Sequence, residues 1–233
     1  MKIDANTIRE LVIVLVPMIL SLTVHEFAHA WSAFKLGDDT ASRQGRMTLN
    51  PLAHIDPIGT LLIPAFAVFA GGIGLIGWAK PVPVSPYRFR RSVTMRNGML
   101  ITALAGPASN LILAIITGGA IMFLYSNIIE NAITGSHATR ADVVWALDQL
   151  GPIGLILSRI FFLNVSLAVF NMLPVPPLDG SRVLPLDIQE KLVPYQMIVF
   201  LGLILMINYA GFILHYPIAF ISNGILAFFG IFV

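Results

Sequence analysis

Two histidines and a glutamate occur together in an otherwise apolar stretch near the start of the chain. They form the pattern His25-Glu26-Phe27-Ala28-His29. Side chains at positions i and i+4 share one face of a helix, so both imidazoles can bind a single metal ion. Glu26 stands beside them and could act as the general base of a hydrolytic reaction at that metal. The pattern therefore predicts a metal site with hydrolytic chemistry.

The alternative interpretation of this pattern is a pair of core histidines with a stray glutamate, which would be ordinary in a soluble helix. Here the pattern lies within Leu11–Phe34, a run in which Glu26 is the one Asp, Glu, Lys or Arg residue. An ionisable side chain at the centre of a membrane span costs about 2.5–3.5 kcal/mol on insertion scales. Three such residues together are hard to retain without an ion, so the sequence favours the metal site.

A third ligand is needed, because a catalytic zinc is usually held by three protein ligands. Asp179 is a candidate because it follows the fourth apolar run, near the end of the segment Asn171–Gly180. Three prolines in that segment exclude a regular helix, and irregular backbone at membrane depth is tolerated only when buried in protein or lining a wet cavity. The alternative for Asp179 is a turn or N-cap aspartate ahead of the next helix. These residues alone leave both interpretations open.

The composition places these residues in a membrane protein. Hydrophobic residues make up 57% of the chain and charged residues only 11%, against roughly 25% charged residues in a soluble domain. Lysine and arginine are too few to build a nucleic-acid-binding patch, so no nucleic-acid partner is expected. Intrinsic disorder is excluded by the high apolar fraction. Because the chain has no cysteine, disulfides, thiolate metal sites and cysteine nucleophiles are excluded too.

Apolar runs divide the chain into five or six predicted membrane segments. A spanning helix needs about 20 apolar residues, and four runs meet that length: Leu11–Phe34, Pro57–Ala79, Asn97–Ile129 and Leu150–Leu173. The last run, Leu192–Val233, is interrupted by Tyr209, Gly211, His215 and Pro217, so we predict two helices joined by a tight turn. No other stretch is large enough for a second domain. The prediction is an all-α polytopic membrane protein with a single domain over residues 1–233.

Three motifs, in this order along the chain, resemble the site-2 protease family of intramembrane zinc metalloproteases, peptidase family M50. They are His25-Glu26-x-x-His29, Gly106–Asn110 and Asn171–Gly180. A further motif, Asn50–Thr60, resembles the small prokaryotic members of the family that lack PDZ and CBS domains. The three main motifs fall between residues 20 and 185, and the third is far more specific than the first.

The resemblance implies one Zn²⁺ per chain, with His25, His29 and Asp179 as ligands and Glu26 as the catalytic glutamate. The implied reaction is hydrolysis of peptide bonds in or near the transmembrane segments of membrane proteins, the chemistry of regulated intramembrane proteolysis. The expected partners are therefore a transmembrane protein substrate and the lipid bilayer, with the oligomeric state left open.

Three further polar residues are candidates for supporting roles. By the resemblance, Asn110 and Asn171 match polar positions that contact or orient the substrate backbone. His54 has three interpretations: an extra metal ligand, a polar partner of Glu26, or a loop residue with a structural hydrogen bond. A carboxylate two residues away, Asp56, could fix the tautomer of His54.

A shared metal also constrains the path of the chain through the membrane. His29 ends the first span and Asp179 follows the fourth, so both spans must end near one face. The run Pro57–Ala79 then cannot be a simple crossing, and its proline and glycines are typical of a re-entrant or broken segment. The proline-rich stretch after it predicts an extended edge strand or β-hairpin. An exposed edge over Gly72–Val84 could hold an unwound substrate by β-addition.

The distribution of charge predicts the orientation in the membrane. The stretch Lys35–Arg96 contains eight Lys and Arg residues against three Asp, whereas Glu130–Asp148 contains one Arg against three acids. Because cytoplasmic loops carry the excess of Lys and Arg, the first stretch is expected in the cytoplasm. We therefore expect a multi-pass protein of the cell (inner) membrane whose active site faces the cytoplasmic side.

Two other classes of function compete with the protease. In a metal-handling membrane transporter, the same ionisable residues would mark an ion path. Transporters are usually built from paired repeats, and no internal repeat is visible here. A catalytically idle scaffold would bind membrane helices without cleaving them, but the ligand set and Glu26 are all present.

Overall fold

The computed structural model describes residues 4–70, 77–133, 151–209 and 212–229. Within these ranges the fold is all-helical and contains no β-strand, which confirms the predicted class. The α-helices are α1 (Ala5–Leu36), α2 (Thr40–Arg43), α3 (Ile63–Phe69), α4 (Met95–Ile133), α5 (Gly151–Asn171), α6 (Leu186–Leu192), α7 (Gln196–Tyr209) and α8 (Phe212–Phe228). A π-helix, Pro57–Leu62, leads into α3, and short 3₁₀ turns cover Pro51–Ala53, Pro86–Arg88, Asp179–Val183 and Val193–Tyr195.

Three of these helices are long and apolar enough to cross a membrane. They are α1, the Met95–Leu124 part of α4, and α5. Shorter apolar helices run over Pro57–Phe69 and Leu214–Phe228. The prediction of a membrane protein is thereby supported, whereas the count of five to six spans stays a prediction.

Helix α1 has clear start and stop signals. The Asp4 carboxylate accepts a hydrogen bond of 2.8 Å from the Thr7 N–H, which satisfies one of the free donors of the first turn. At the other end Gly37 adopts φ 111°, a left-handed conformation that glycine adopts without steric cost. The 32 residues between them extend about 48 Å at 1.5 Å per residue.

Helices α1, α4 and α5 pack against one another, and α8 packs against α4 and α5. The core between α4, α5 and α8 is formed by Ala114, Ile121, Phe161, Val165 and Leu226. Large apolar side chains also remain exposed along the long helices, as expected where the surrounding solvent is lipid rather than water. These three long helices form the frame that carries the candidate site.

The run Pro57–Ala79 was predicted to be broken, and its described residues show how. It starts with the π-helix and α3, which ends at Phe69. The chain then returns, because the Trp78 N–H donates to the Gly59 carbonyl at 3.2 Å and the Lys80 N–H donates to the His54 carbonyl at 2.9 Å. The two ends of the run therefore lie side by side.

No β-hairpin is present among the described residues of this region, in contrast to the prediction. Residues 71–76, which include the first part of the predicted edge, lie outside the described ranges. The stretch 77–85 lacks regular secondary structure. Pro81 and Pro83 have no N–H, so the backbone edge on which these two residues lie cannot form a regular hydrogen-bonded ladder.

The last apolar run is split as predicted, although not at all of the predicted residues. Helix α7 ends at Tyr209 and α8 begins at Phe212. His215 and Pro217 were expected to lie at the turn, but both lie inside the first two turns of α8. Pro217 is the sixth residue of α8, beyond the first turn, so its missing N–H removes one intrahelical hydrogen bond and the helix continues past it.

Candidate metal centre

Three side chains from distant parts of the sequence meet at one point. The His25 Nε2 and His29 Nε2 atoms are 3.0 Å apart. The Asp179 Oδ2 atom lies 3.1 Å from His25 Nε2 and 3.3 Å from His29 Nε2. Among the described residues, His25, His29 and Asp179 form the one group of three such side chains placed to share a metal ion.

The elements that bring the three ligands together differ in kind. His25 and His29 are one helical turn apart on α1 and are both buried. Asp179 begins a 3₁₀ turn after α5, and this turn packs against α4. Gly180 is required there, because a β-carbon at this position would lie 2.3 Å from the Met172 carbonyl oxygen. The aspartate therefore reaches the histidines by a close approach between backbone segments.

The outer nitrogen of each imidazole is held by an oxygen acceptor. His29 Nδ1 lies 2.7 Å from the carbonyl oxygen of Thr102, and His25 Nδ1 lies 2.6 Å from the side-chain oxygen Oδ1 of Asn110. Both acceptors require a proton on Nδ1, so in the neutral rings each Nε2 carries a lone pair. This is the arrangement by which metal-binding histidines are normally oriented.

The donor set fits a metal ion. Two imidazole lone pairs and a carboxylate oxygen face one another, and Asp179 Oδ2 is buried without a hydrogen-bond donor among the described residues. Ligand atoms around a tetrahedral zinc lie about 3.3 Å apart, close to the three distances found here. Two nitrogens and one carboxylate oxygen are ligands typical of zinc.

The two rings leave no room for a side chain on the neighbouring helix. A β-carbon on Gly106 of α4 would lie 2.4 Å from His29 Nε2 and 2.6 Å from His25 Cε1. Contacts this short do not occur between real atoms. Glycine at this position lets α4 pack directly against the ligand face of α1.

Glu26 lies next to the ligands and outside the ligand triangle. Its Oε2 atom accepts a 2.8 Å hydrogen bond from the backbone N–H of Val82. Pro81 and Pro83 lack N–H groups, so Val82 is the only backbone donor in this three-residue stretch. The second carboxylate oxygen, Oε1, makes no hydrogen bond within the described ranges and can accept a proton.

Comparison with known proteins supports the same chemistry. The family model described as Peptidase family M50 matches residues 13–209. The chain belongs to this peptidase family. The match confirms the resemblance found in the motifs, and with it the prediction of a metalloprotease.

Curated relatives include candidate zinc metalloproteases from three bacteria. This M50 chain is 40% identical to YwhC of Bacillus subtilis over 179 residues, which is 77% of the chain and 68% of the relative. It is 34% identical to Rip2 of Mycolicibacterium smegmatis over 76% of the chain and 60% of the relative. For Rip2 of Mycobacterium tuberculosis the identity is 32%, over 74% of the chain and 56% of the relative. The chain thus spans between about half and two thirds of these relatives, and no solved structure matches it.

The family and the donor set together confirm the prediction of zinc as the cofactor.

His54 of this M50 peptidase is not part of the ligand group. Its Nε2 atom donates to the Thr48 carbonyl at 2.8 Å, and its backbone carbonyl accepts from Lys80. The ring is buried, and its Nδ1 has no hydrogen-bond partner among the described residues. These contacts favour the third interpretation, a structural hydrogen bond that holds the loop beside Lys80.

The two predicted substrate-contacting asparagines have different surroundings. Asn110 is fully buried behind His25, and its amide atoms contact protein groups. Asn171 ends α5 and donates to the Leu167 carbonyl at 3.1 Å. Substrate contact by either residue stays a prediction, and the position of Asn110 supports the orientation of a ligand histidine instead.

Three residues that support the site were not identified from the sequence. Thr102 supplies a carbonyl to His29, and Ser21 and Asn164 contact Asn110. A backbone carbonyl leaves no signal in the sequence. Asn164 did leave one, because an asparagine within the apolar run Leu150–Leu173 must find polar partners inside the protein.

Proposed function

We propose that this chain is an intramembrane zinc protease that hydrolyses peptide bonds in or near transmembrane segments of membrane proteins. The observation that carries the proposal is the convergence of His25, His29 and Asp179 at a point where three apolar helices meet. The proposal goes beyond the family assignment, because it names both the location of the reaction and the class of substrate.

The chemistry follows from the positions of the ligands and of Glu26. Zinc bound there would polarise the scissile carbonyl and lower the pKa of a water molecule to about 7. Glu26 takes a proton from the attacking water and then donates it to the leaving amide nitrogen, so the C–N bond breaks to give a carboxylate and an amine. The Val82 N–H fixes one oxygen of Glu26 and leaves Oε1 for the proton.

A transmembrane helix must unwind locally before it can be cleaved, because its backbone groups are hydrogen-bonded. We propose that the extended stretch around Val82 and Val84 holds the unwound segment. This stretch is held at both ends by hydrogen bonds, which supports the proposal. Arg46 donates to the Lys80 carbonyl at 2.5 Å, and the Asp38 carboxylate accepts from the Ser85 N–H at 2.6 Å. The Val84 N–H and the Val82 carbonyl make no hydrogen bond to the described residues, so they are free to pair with a substrate strand.

The orientation in the membrane is also proposed. The neighbouring ends of the Pro57–Ala79 run support a re-entrant segment that returns to the side from which it entered. Combined with the excess of Lys and Arg in Lys35–Arg96, this supports a multi-pass protein of the inner membrane with its active site toward the cytoplasm.

The test is cleavage of a single-span model substrate by the purified protein in liposomes. Glu26→Gln should lower turnover by about 10²–10⁴-fold while zinc content stays at one per chain. Glu10→Gln is the matched control, because Glu10 is an exposed glutamate on the same helix. In the same assay, charged residues at Val82 and Val84 should slow cleavage without loss of zinc.

The result also separates the competing functions. Undiminished cleavage by Glu26→Gln would contradict the protease mechanism. Zinc flux into the liposomes that depends on Glu26 would support a transporter. Binding of the substrate without cleavage by the unaltered protein would support a scaffold, and unchanged cleavage by the Val82 and Val84 variants would contradict the proposed substrate edge.

A further inference from the structure

A series of buried polar side chains leads from the metal centre through α4 to α5 and back to α1. Asn110 Oδ1 accepts from His25 Nδ1, and Asn110 Nδ2 donates to Asn164 Oδ1 at 2.6 Å. Asn164 Nδ2 in turn donates to the Ile160 carbonyl at 2.7 Å and to Ser21 Oγ at 2.8 Å. Ser21, Asn110 and Asn164 are each 0% exposed. These three side chains therefore link α1, α4 and α5 without access to water.

The donor and the acceptor of each hydrogen bond in this series are determined by the groups at its end, the Ile160 carbonyl and the Ser21 hydroxyl. The Ile160 carbonyl can only accept, so the NH₂ group of Asn164 must face it. The Ser21 hydroxyl donates to the Pro17 carbonyl at 2.6 Å, so its oxygen also acts as an acceptor toward Asn164. The side-chain oxygen of Asn164 then faces Asn110 and accepts from its NH₂ group.

The same reasoning applies to the hydrogen bond between Asn110 and the metal ligand His25. Because Asn110 uses its NH₂ group toward Asn164 and the Ser21 carbonyl, its oxygen must face His25. The oxygen requires the proton of His25 on Nδ1, which leaves the Nε2 lone pair directed toward His29 and Asp179. The directions of these hydrogen bonds therefore hold His25 in the tautomer that can bind a metal.

We propose that Asn164 is a positioning residue, which sets the orientation of the Asn110 amide and through it the metal-binding tautomer of His25. The proposal rests on the zinc site of the proposed function and deepens it, because it assigns control of the site to a residue on α5 that touches none of the ligands. If Asn164 offered no acceptor, Asn110 could rotate its amide and present NH₂ to His25. The histidine would then keep its proton on Nε2, where it blocks metal binding.

The test compares three variants of Asn164 by zinc affinity, measured by chelator competition on the whole 233-residue chain in detergent. Asn164→Leu removes the acceptor for Asn110. Asn164→Ser also removes the acceptor but leaves no unpaired polar group of its own, because a serine hydroxyl can donate to the carbonyl four residues earlier, as Ser166 does to Phe162. Asn164→Asp retains an acceptor for Asn110 and, as a neutral acid in this buried position, retains a donor for Ile160.

The expected result is a loss of zinc affinity of about 10–100-fold for Asn164→Leu and Asn164→Ser, with Asn164→Asp close to the unaltered protein. Ser158→Ala is the matched control, because Ser158 is a buried polar residue of α5 whose hydroxyl, among the described residues, bonds to the Leu155 carbonyl of its own helix. Its zinc affinity should be unchanged. Cobalt substitution adds a second readout, since the visible spectrum of Co²⁺ reports loss of a nitrogen ligand in the two affected variants.

Three outcomes would overturn the proposal. The first is unchanged zinc affinity in folded Asn164→Leu or Asn164→Ser. The second is an equal loss of affinity in all three variants, in proportion to their loss of thermal stability, which would indicate a purely structural role. The third is an altered affinity in Ser158→Ala of the same size. Failure of the zinc site itself is distinguishable, because then the unaltered protein would bind no zinc.

Discussion

The two halves of the metal centre are built in different ways. The histidine half lies on one regular helix, and each ring is fixed by an oxygen acceptor behind it. The aspartate half lies on a 3₁₀ turn after a proline-rich segment, and its Oδ2 atom has no hydrogen-bond donor among the described residues. The Asp179 side chain is 23% exposed, against 7% for His25 and 11% for His29.

This difference indicates which ligands are already held in the metal-binding orientation before zinc binds. The rings are held in the metal-binding orientation by neighbouring helices, so they need little reorganisation when zinc binds. Asp179 Oδ2 has no hydrogen-bond donor among the described residues, so a bound metal would supply its main polar contact. We therefore expect changes on the histidine half to affect both folding and zinc affinity, and changes on the aspartate half to affect mainly zinc affinity.

The largest expected effect is the loss of a ligand from either half. His25→Ala and Asp179→Ala should each reduce bound zinc, measured by elemental mass spectrometry, from one per chain to nearly none, because two protein ligands do not hold a catalytic zinc. Only His25→Ala should also lower thermal stability, since it leaves the side-chain oxygen of the buried Asn110 without a donor.

Metal retained in Asp179→Ala but lost in His25→Ala would contradict the role of Asp179 as a ligand, because another side chain, such as His54, would then be the third ligand.

A smaller effect is expected from crowding each half with a single methyl group. Gly106→Ala places a β-carbon within 2.6 Å of both rings, where α4 packs against α1. We expect it to lower zinc affinity about tenfold or more and to destabilise the fold by about 1–3 kcal/mol. Gly180→Ala crowds the Met172 carbonyl and should lower zinc affinity with a smaller loss of stability, because the turn can shift.

The control for both is Gly224→Ala on α8, where a β-carbon would meet no atom within 4 Å. It should leave zinc affinity unchanged and stabilise the helix by up to about 1 kcal/mol. Chelator competition and thermal unfolding measure the two quantities. A Gly180→Ala protein that loses as much stability as Gly106→Ala would contradict the proposed difference between the halves.

The smallest effect concerns the acceptor behind His29. The Thr102 hydroxyl is buried and has no hydrogen-bond partner among the described residues, whereas its backbone carbonyl holds the ring. Thr102→Val keeps the carbonyl and removes the unpaired hydroxyl, so we expect unchanged zinc affinity and a stability gain of about 1 kcal/mol or less. A tenfold loss of zinc affinity would show instead that the hydroxyl contributes to the site.

Sequence patterns predicted the parts of the site that depend on local geometry. His25, Glu26 and His29 were assigned from helical spacing, and the interruption of Pro57–Ala79 from its proline and glycines. The β-hairpin is not confirmed by the described residues, because proline content indicates extended backbone without specifying a hydrogen-bonded partner. His215 and Pro217 were expected to interrupt the last apolar run, but α8 continues through both. A proline inside a helix removes one backbone hydrogen bond and can kink the helix without ending it.

By itself, the sequence determined that this is a membrane protein of the M50 peptidase family with two histidines and a glutamate on one helix. These features follow from composition and short-range spacing, which a linear chain expresses directly. Only the tertiary structure placed Asp179 beside the two histidines, the Val82 N–H on Glu26, and Asn164 in contact with His25 through Asn110. Such contacts join residues far apart in the chain, and helix packing alone brings their side chains within hydrogen-bonding distance.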